Sequence, residues 1–119
     1  MEYLLVGVGG AAGSLARFVI GRAIARKMKR EFPWGTFIIN ISGAFLLGLA
    51  VTAGLPGNMY ILAADGFLGA FTTFSTFMYE GVELFRGNET RSAIFYILGS
   101  LFIGLVGFII GSLMGNLIW

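Results

Sequence analysis

The stretch GFLGAFTTFSTF, residues 66–77, combines three residue types that rarely share one membrane segment. Four hydroxyls (Thr72, Thr73, Ser75, Thr76) are interleaved with Phe74 and Phe77 and follow Phe67 and Phe71. Gly66, Gly69 and Ala70 precede the hydroxyl run. The stretch lies inside the nearly uncharged range 57–79, and the ranges 3–16, 34–54 and 92–119 are also nearly uncharged. About 20 apolar residues cross a bilayer core as a helix. Three of the ranges reach that length. The first reaches it if Arg17 is tolerated and the span runs on to about residue 25. In lipid only internally bonded backbones are stable, so the expectation is an all-α membrane protein. Its four transmembrane helices are predicted at about 3–25, 34–54, 58–84 and 91–117.

The rest of the composition agrees. Of the 119 residues, 57% are hydrophobic and 12% charged, against roughly 25% charged in soluble domains. There is no cysteine and no histidine, which excludes disulfides, thiolate chemistry and the usual zinc and proton-shuttle sites. No convergent acid–base pair lies at depth, so an enzyme is not expected. Glu2 and the lack of a basic leading segment argue against a cleaved signal peptide. The net charge of +2 does not argue for a nucleic-acid partner, because the basic residues gather at helix ends.

Those basic residues report orientation. The run RKMKRE (26–31) closes helix 1, and Pro33 restarts the chain as helix 2. The turn GLPGN (54–58) precedes helix 3, with Asn58 a candidate cap. EGVELFRGNETR (80–91) links helices 3 and 4, with Asn88 to Thr90 as candidate caps. Arg22, Arg26, Lys27, Lys29, Arg30, Arg86 and Arg91 share one side of the membrane, and the other side has no Lys or Arg. The positive-inside rule puts loops 22–33 and 80–91 in the cytoplasm and both termini outside, with Trp119 at an interface. Gly9, Gly13, Arg17 and Gly21 recur every four residues on helix 1, as Gly107, Gly111 and Gly115 do on helix 4, and small residues at that spacing let helix backbones approach closely. Packing within one subunit accounts for them, and so does a dimer.

Polar residues within the spans carry the functional reading. Arg17 either snorkels to the interface or provides a field for an anion. Asn40 is either interhelical glue or part of a polar path. Phe67, Phe71, Phe74 and Phe77 fall on one helical face, beside a hydroxyl stripe that continues to Tyr79. Hydroxyls can bond back to the i−4 carbonyl. Four in five positions after Gly69-Ala70 point instead to a break near the middle of helix 3. Freed carbonyls there suit a cation. Freed hydroxyls suit an anion, as do the electropositive edges of phenyl rings. Tyr96, Ser100 and Gly104 line one face of helix 4, with Tyr96 either an interfacial anchor or part of an ion path. Glu80 and Glu83 end helix 3, and Asp65 is either a shallow outer-leaflet residue or a partner for a cation.

Three segments taken together resemble the Fluc (CrcB) fluoride channels: GAAGSLARF (10–18), PWGTFIINISGAFLLG (33–48) and GFLGAFTTFSTF (66–77). The match runs in order over the whole chain. The resemblance implies an antiparallel dimer of four-helix subunits in the cytoplasmic membrane of a prokaryote, surrounded by lipid. It implies passive, selective export of fluoride through two pores. By motif, Asn40 would face the pore, Phe74 and Phe77 would supply the ring lining, and Ser75 and Thr76 would form the polar track. Tyr96 would stand near the end of that track and Glu80 at a vestibule. Arg17 matches the family's helix 1 arginine. Gly69 and Thr72 would offer main-chain carbonyls to a structural sodium ion at the dimer interface. Ala70 and Gly104 depart from the pattern: a second glycine is common at the first, and a hydroxyl at the second, for which Ser100 is a substitute. Asp65 adds a charge near the outer end of helix 3.

The charge bias of seven against none suits a chain inserted one way that pairs with an oppositely oriented homologue. A dual-topology homodimer is the alternative. Two other functions compete. A small multidrug-type transporter needs a carboxylate in helix 1, where this chain has Arg17 and no acid beyond Glu2. A non-conducting assembly subunit would explain the glycine faces but not residues 66–77.

Overall fold

The structure, a computed structural model, describes residues 1–28 and 32–119, so Lys29 and Arg30 of the basic run lie outside the described residues. All regular structure among the described residues is helical. Helix α1 spans Glu2–Lys27 and α2 spans Trp34–Thr52. The third span comprises α3 (Gly57–Tyr60), a π-helical segment (Ile61–Leu68), α4 (Gly69–Phe71) and α5 (Ser75–Arg86); α6 runs Thr90–Ile118. Four helices are therefore long and apolar enough to cross a membrane: Glu2–Lys27, Trp34–Thr52, Gly57–Arg86 and Thr90–Ile118.

The termini of these helices differ in detail from the sequence expectation. Neither Asn58 nor Thr90 caps a helix: α3 starts behind Pro56 and α6 behind Glu89, both without a side-chain cap bond. Asn88 instead adopts left-handed backbone with φ 60° in the α5–α6 turn, a conformation that asparagine tolerates better than most residues. Its N–H donates to the Phe85 carbonyl. The eight-residue π segment is not visible in the sequence, because a nearly uniform apolar run carries no pattern that separates i→i+5 from i→i+4 bonding.

Packing pairs the spans: α1 lies along the π segment and α4, α2 lies along α6, and α5 also contacts α6. Backbone proximity makes these pairs. A Cβ on Gly13 would run into the Phe67 carbonyl, and one on Gly9 into that of Leu62. Between α2 and α6 the same is true of Gly48 against the Phe108 carbonyl and Gly111 against that of Phe45. The glycine faces thus serve packing within one chain. In lipid, where tails are as apolar as leucine, such dispersion contacts replace the hydrophobic drive of a soluble core.

Two apolar clusters result. Ile39, Leu68 and Phe71 form one. Phe37, Phe77, Leu84, Ala93 and Tyr96 form the other, with Phe32 set edge-on to Tyr96 at 5.4 Å between centroids. Most remaining apolar side chains point outward, among them Leu15, Phe18, Phe102 and Leu113. That apolar exterior suits lipid or a second subunit.

Gly13→Ala should force its methyl into backbone that cannot move aside, an overpacking cost of about 1–3 kcal/mol. We expect a lower melting temperature and loss of the monodisperse peak in detergent. Gly7→Ala, on the same helix with open space around its Cβ, should be neutral in the same measurements.

Candidate functional site

The helical ladder of the third span stops at Phe71 and resumes at Ser75. Thr72 has extended backbone, φ −79° and ψ 158°. The span as a whole bends by only 18°, so the interruption is local. In a continuous helix the Thr73 N–H would donate to the Gly69 carbonyl. Here it donates to Asn40 Oδ1 at 2.9 Å, and Asn40 Nδ2 donates to the Thr73 carbonyl at 3.0 Å. One side-chain amide on α2 thereby serves both backbone groups of a residue that has left its helix. Asn40 is interhelical glue, and the amide N–H it has not used on Thr73 remains available.

The hydroxyls divide into two groups. Thr72 Oγ1 bonds back to the Leu68 carbonyl at 3.0 Å. Thr73 Oγ1 accepts from the Thr76 N–H at 3.3 Å, just ahead of the restarting helix. Ser75 and Thr76 are exposed. Because the Thr73 and Thr76 N–H groups are engaged elsewhere, the Gly69 and Thr72 carbonyls are released from the ladder. Gly69 is itself exposed.

The expected single phenylalanine face is not present. The break turns the two halves apart: Phe67 and Phe71 stack at 5.7 Å, with Phe71 in the Ile39 cluster. Phe77, 5% exposed, joins the Tyr96 cluster, while Phe74 is 73% exposed. Phe74 and Phe77 still meet each other, with centroids 6.1 Å apart at 44°.

Two cavities meet at Thr73, which lines both. At the end bearing the basic residues, a cleft of about 570 Å³ is lined by Arg17, Arg22, Arg26, Thr73, Thr76 and Glu80, among others. Deeper, a pocket of about 250 Å³ is lined by Asn40, Thr72, Thr73, Phe74, Phe77 and Ser100, together with Leu101. Among the described residues, three arginines against one carboxylate give the cleft a positive field that favours anions. Arg22 also lies over the Phe18 ring, 5.5 Å from its centroid. Tyr96 is fully buried (0% exposed) and its hydroxyl donates to Glu80 Oε1 at 3.3 Å, so it is not an exposed belt residue. The Ser100 hydroxyl is buried with no partner among the described residues.

The structure thus brings Asn40, Phe74, Phe77 and Ser100 around one pocket, and Arg17, Thr76 and Glu80 around the cleft beside it. Ser75 lines neither, and Gly69 lies on the open surface of the chain. Sequence reasoning missed Thr73 as the organising residue. It acts through its backbone, which no residue type announces.

A small multi-span protein with an interrupted third span, uncharged donors at the interruption and a basic antechamber has the makings of an anion pathway. Residues 4–112 match the family described as CrcB-like protein, Camphor Resistance (CrcB). The chain belongs to that family. It is 53% identical to the Fluoride-specific ion channel FluC 2 of Clostridium acetobutylicum over 98% of this chain and 100% of that one. It is 41% identical to the Fluoride-specific ion channel FluC of Acidobacterium capsulatum over 98% and 97%. The FluC of Thermus thermophilus is 40% identical over 97% and 95%.

Asn40→Leu should orphan the Thr73 N–H and carbonyl together, at about 1–3 kcal/mol for each buried group left unpaired. The expected result is a lower melting temperature and faster hydrogen exchange of the Thr73 amide, while amides at the α2–α6 contact keep their protection.

Proposed function

We propose that this chain is the subunit of a fluoride-selective channel that lets fluoride leave the cell passively, and not an enzyme. The observation that carries the proposal is near-complete alignment with relatives named as fluoride-specific channels, joined to a pocket whose lining offers donors but no charge. Fluoride would gather in the cleft under the field of Arg17, Arg22 and Arg26. Thr76 and then the free N–H of Asn40 would replace part of its hydration. The Phe77 ring edge and the Ser100 hydroxyl would continue the path. Neutral donors suit a small, hard anion, because they solvate it without trapping it. Tyr96 holds Glu80 at the cleft wall, which limits how far that carboxylate repels an incoming anion. Ser75 and Phe74, exposed on the single chain, would complete the wall where a second subunit approaches.

We further propose an antiparallel dimer in the cytoplasmic membrane, with the two charged loops of this chain in the cytoplasm and the interruption of the third span at the subunit contact. The Gly69 and Thr72 carbonyls fit a structural sodium ion there. Both are hard oxygen donors released from helical bonding, and a symmetric partner would double them to four. Bound sodium would hold the two interrupted helices together. The seven-to-none charge bias favours an oppositely oriented homologue as the natural partner, and a homodimer would need that bias overridden.

Liposomes holding only this purified chain should release fluoride, and not chloride, when a potassium gradient and valinomycin drive efflux. A folded chain that passes neither ion would overturn the proposal for the homodimer and direct the same assay to a pair with an opposite-topology homologue. Phe77→Ala should cut fluoride flux at least about tenfold, an effect of ~1.4 kcal/mol.

A further inference from the structure

The cleft at the basic end is far larger than a monatomic ion needs. Its volume of about 570 Å³ falls within the range of roughly 300–1,000 Å³ usual for small-molecule sites. Gly21 and Ala25 line it on α1, and with so little side chain they leave the face between the arginines open. Trp34 supplies an aromatic wall beside Thr36. Both lie in the first turn of α2, whose positive dipole end adds to the field there.

Arg17, Arg22 and Arg26 all reach this space from α1. Arg22 and Arg26 are four residues apart, which sets their Cβ atoms about 5–6 Å from each other. Both are exposed. Among the described residues the one salt bridge joins Arg86 to Glu83, at 3.7 Å, so no described carboxylate neutralises either guanidinium. Glu80, also at the cleft, is bonded to the Tyr96 hydroxyl. Two guanidinium forks one turn apart match an anion with several oxygens and more than one charge. A fluoride ion meets one fork and leaves the rest of the positive charge unanswered. A phosphomonoester has three peripheral oxygens and a charge of roughly −1.5 to −2 near neutrality, and arginine pairs with it bidentately.

The cleft also borders the apolar exterior. Arg22 lies over the Phe18 ring, 5.5 Å from its centroid, and Phe18 is 59% exposed. A phosphate group can therefore arrive from water or from the edge of a lipid layer.

We infer that the cleft is a binding site for a phosphomonoester group, gripped by Arg22 and Arg26 with Trp34 beside it, and carried by free phosphate or by the headgroup of an anionic lipid. This rests on the cleft collecting anions, as in the reading above, and not on conduction through the deeper pocket. A bound phosphate would stand before Thr73 and Thr76 and cancel part of the field that draws fluoride in.

Binding is read at Trp34, without any flux. Trp119→Phe leaves Trp34 as the single tryptophan of the chain. Its fluorescence and the melting temperature are followed on the full chain in detergent. Inorganic phosphate is titrated against chloride at constant ionic strength, and phosphatidic acid against phosphatidylcholine in mixed micelles. We expect a saturable change with at least one of the two phosphate probes and none with chloride or phosphatidylcholine. Arg22→Gln together with Arg26→Gln should raise the half-saturating concentration about tenfold or more. Arg86→Gln, at the end of α5, should leave it unchanged. Saturation by inorganic phosphate names the free anion as the ligand, and saturation by phosphatidic acid alone names the lipid; either supports the site. A response to neither probe, or an equal one to chloride, overturns the inference. So does a response that survives the two arginine substitutions, since the phosphate would then sit elsewhere. Because no ion flux is read, that failure is separate from a failure of the efflux assay.

Discussion

A peptide group taken out of a helix inside a membrane needs a donor and an acceptor at once. At Thr73 both come from the amide of Asn40. Asparagine is suited to this, because its side chain repeats the peptide's own pair of groups at the same spacing. Aspartate would lack the donor and leucine would lack both. With Thr73 satisfied from α2, the third span can be interrupted without leaving the Thr73 peptide groups unpaired, and the Gly69 and Thr72 carbonyls become available. The two cavities meet at this same residue. The proposed pathway and the proposed cation site therefore depend on one pair of hydrogen bonds.

The surrounding frame is rigid for a different reason. Opposed glycines bring α1 onto the π segment and α2 onto α6 until backbone meets backbone. Such contacts leave no slack for a side chain, so the position of Asn40 relative to Thr73 is set by packing several turns away. The frame is also one-sided. The chain buries two small apolar clusters and presents most of its other apolar residues outward. Phe74 and Gly69 lie on that outer surface at the level of the interruption.

Charge is partitioned along the membrane normal. The cleft gathers Arg17, Arg22 and Arg26 near Glu80, which Tyr96 restrains. The deeper pocket has hydroxyl, amide and ring edges and no formal charge. In the proposed pathway the positive cleft would raise the local anion concentration, and the uncharged pocket would let a bound anion leave again. Asp65 stands apart from this scheme, on the other side of the interruption and on the face of Gly69. That separation lets a carboxylate exist in an anion-conducting protein without obstructing the anion.

Much of this was legible in residue order. Apolar run lengths determined four helices long and apolar enough to cross a membrane. Four hydroxyls after Gly69-Ala70 marked the place where α-helical bonding lapses locally, between Phe71 and Ser75, in a span that is bent by only 18° rather than broken in two, and residue type alone nominated Asn40, Phe77 and Glu80 as candidates. These features follow from transfer energies and helix geometry, which act locally and can be read one segment at a time. Only the tertiary structure decided that Phe67 and Phe71 part from Phe77, because a few non-helical residues rotate one half of the span against the other. It alone revealed the π segment, the burial of Tyr96 and the role of Thr73. Each depends on which backbone atoms from distant segments come within hydrogen-bonding reach, and no periodicity in a single chain encodes that distance.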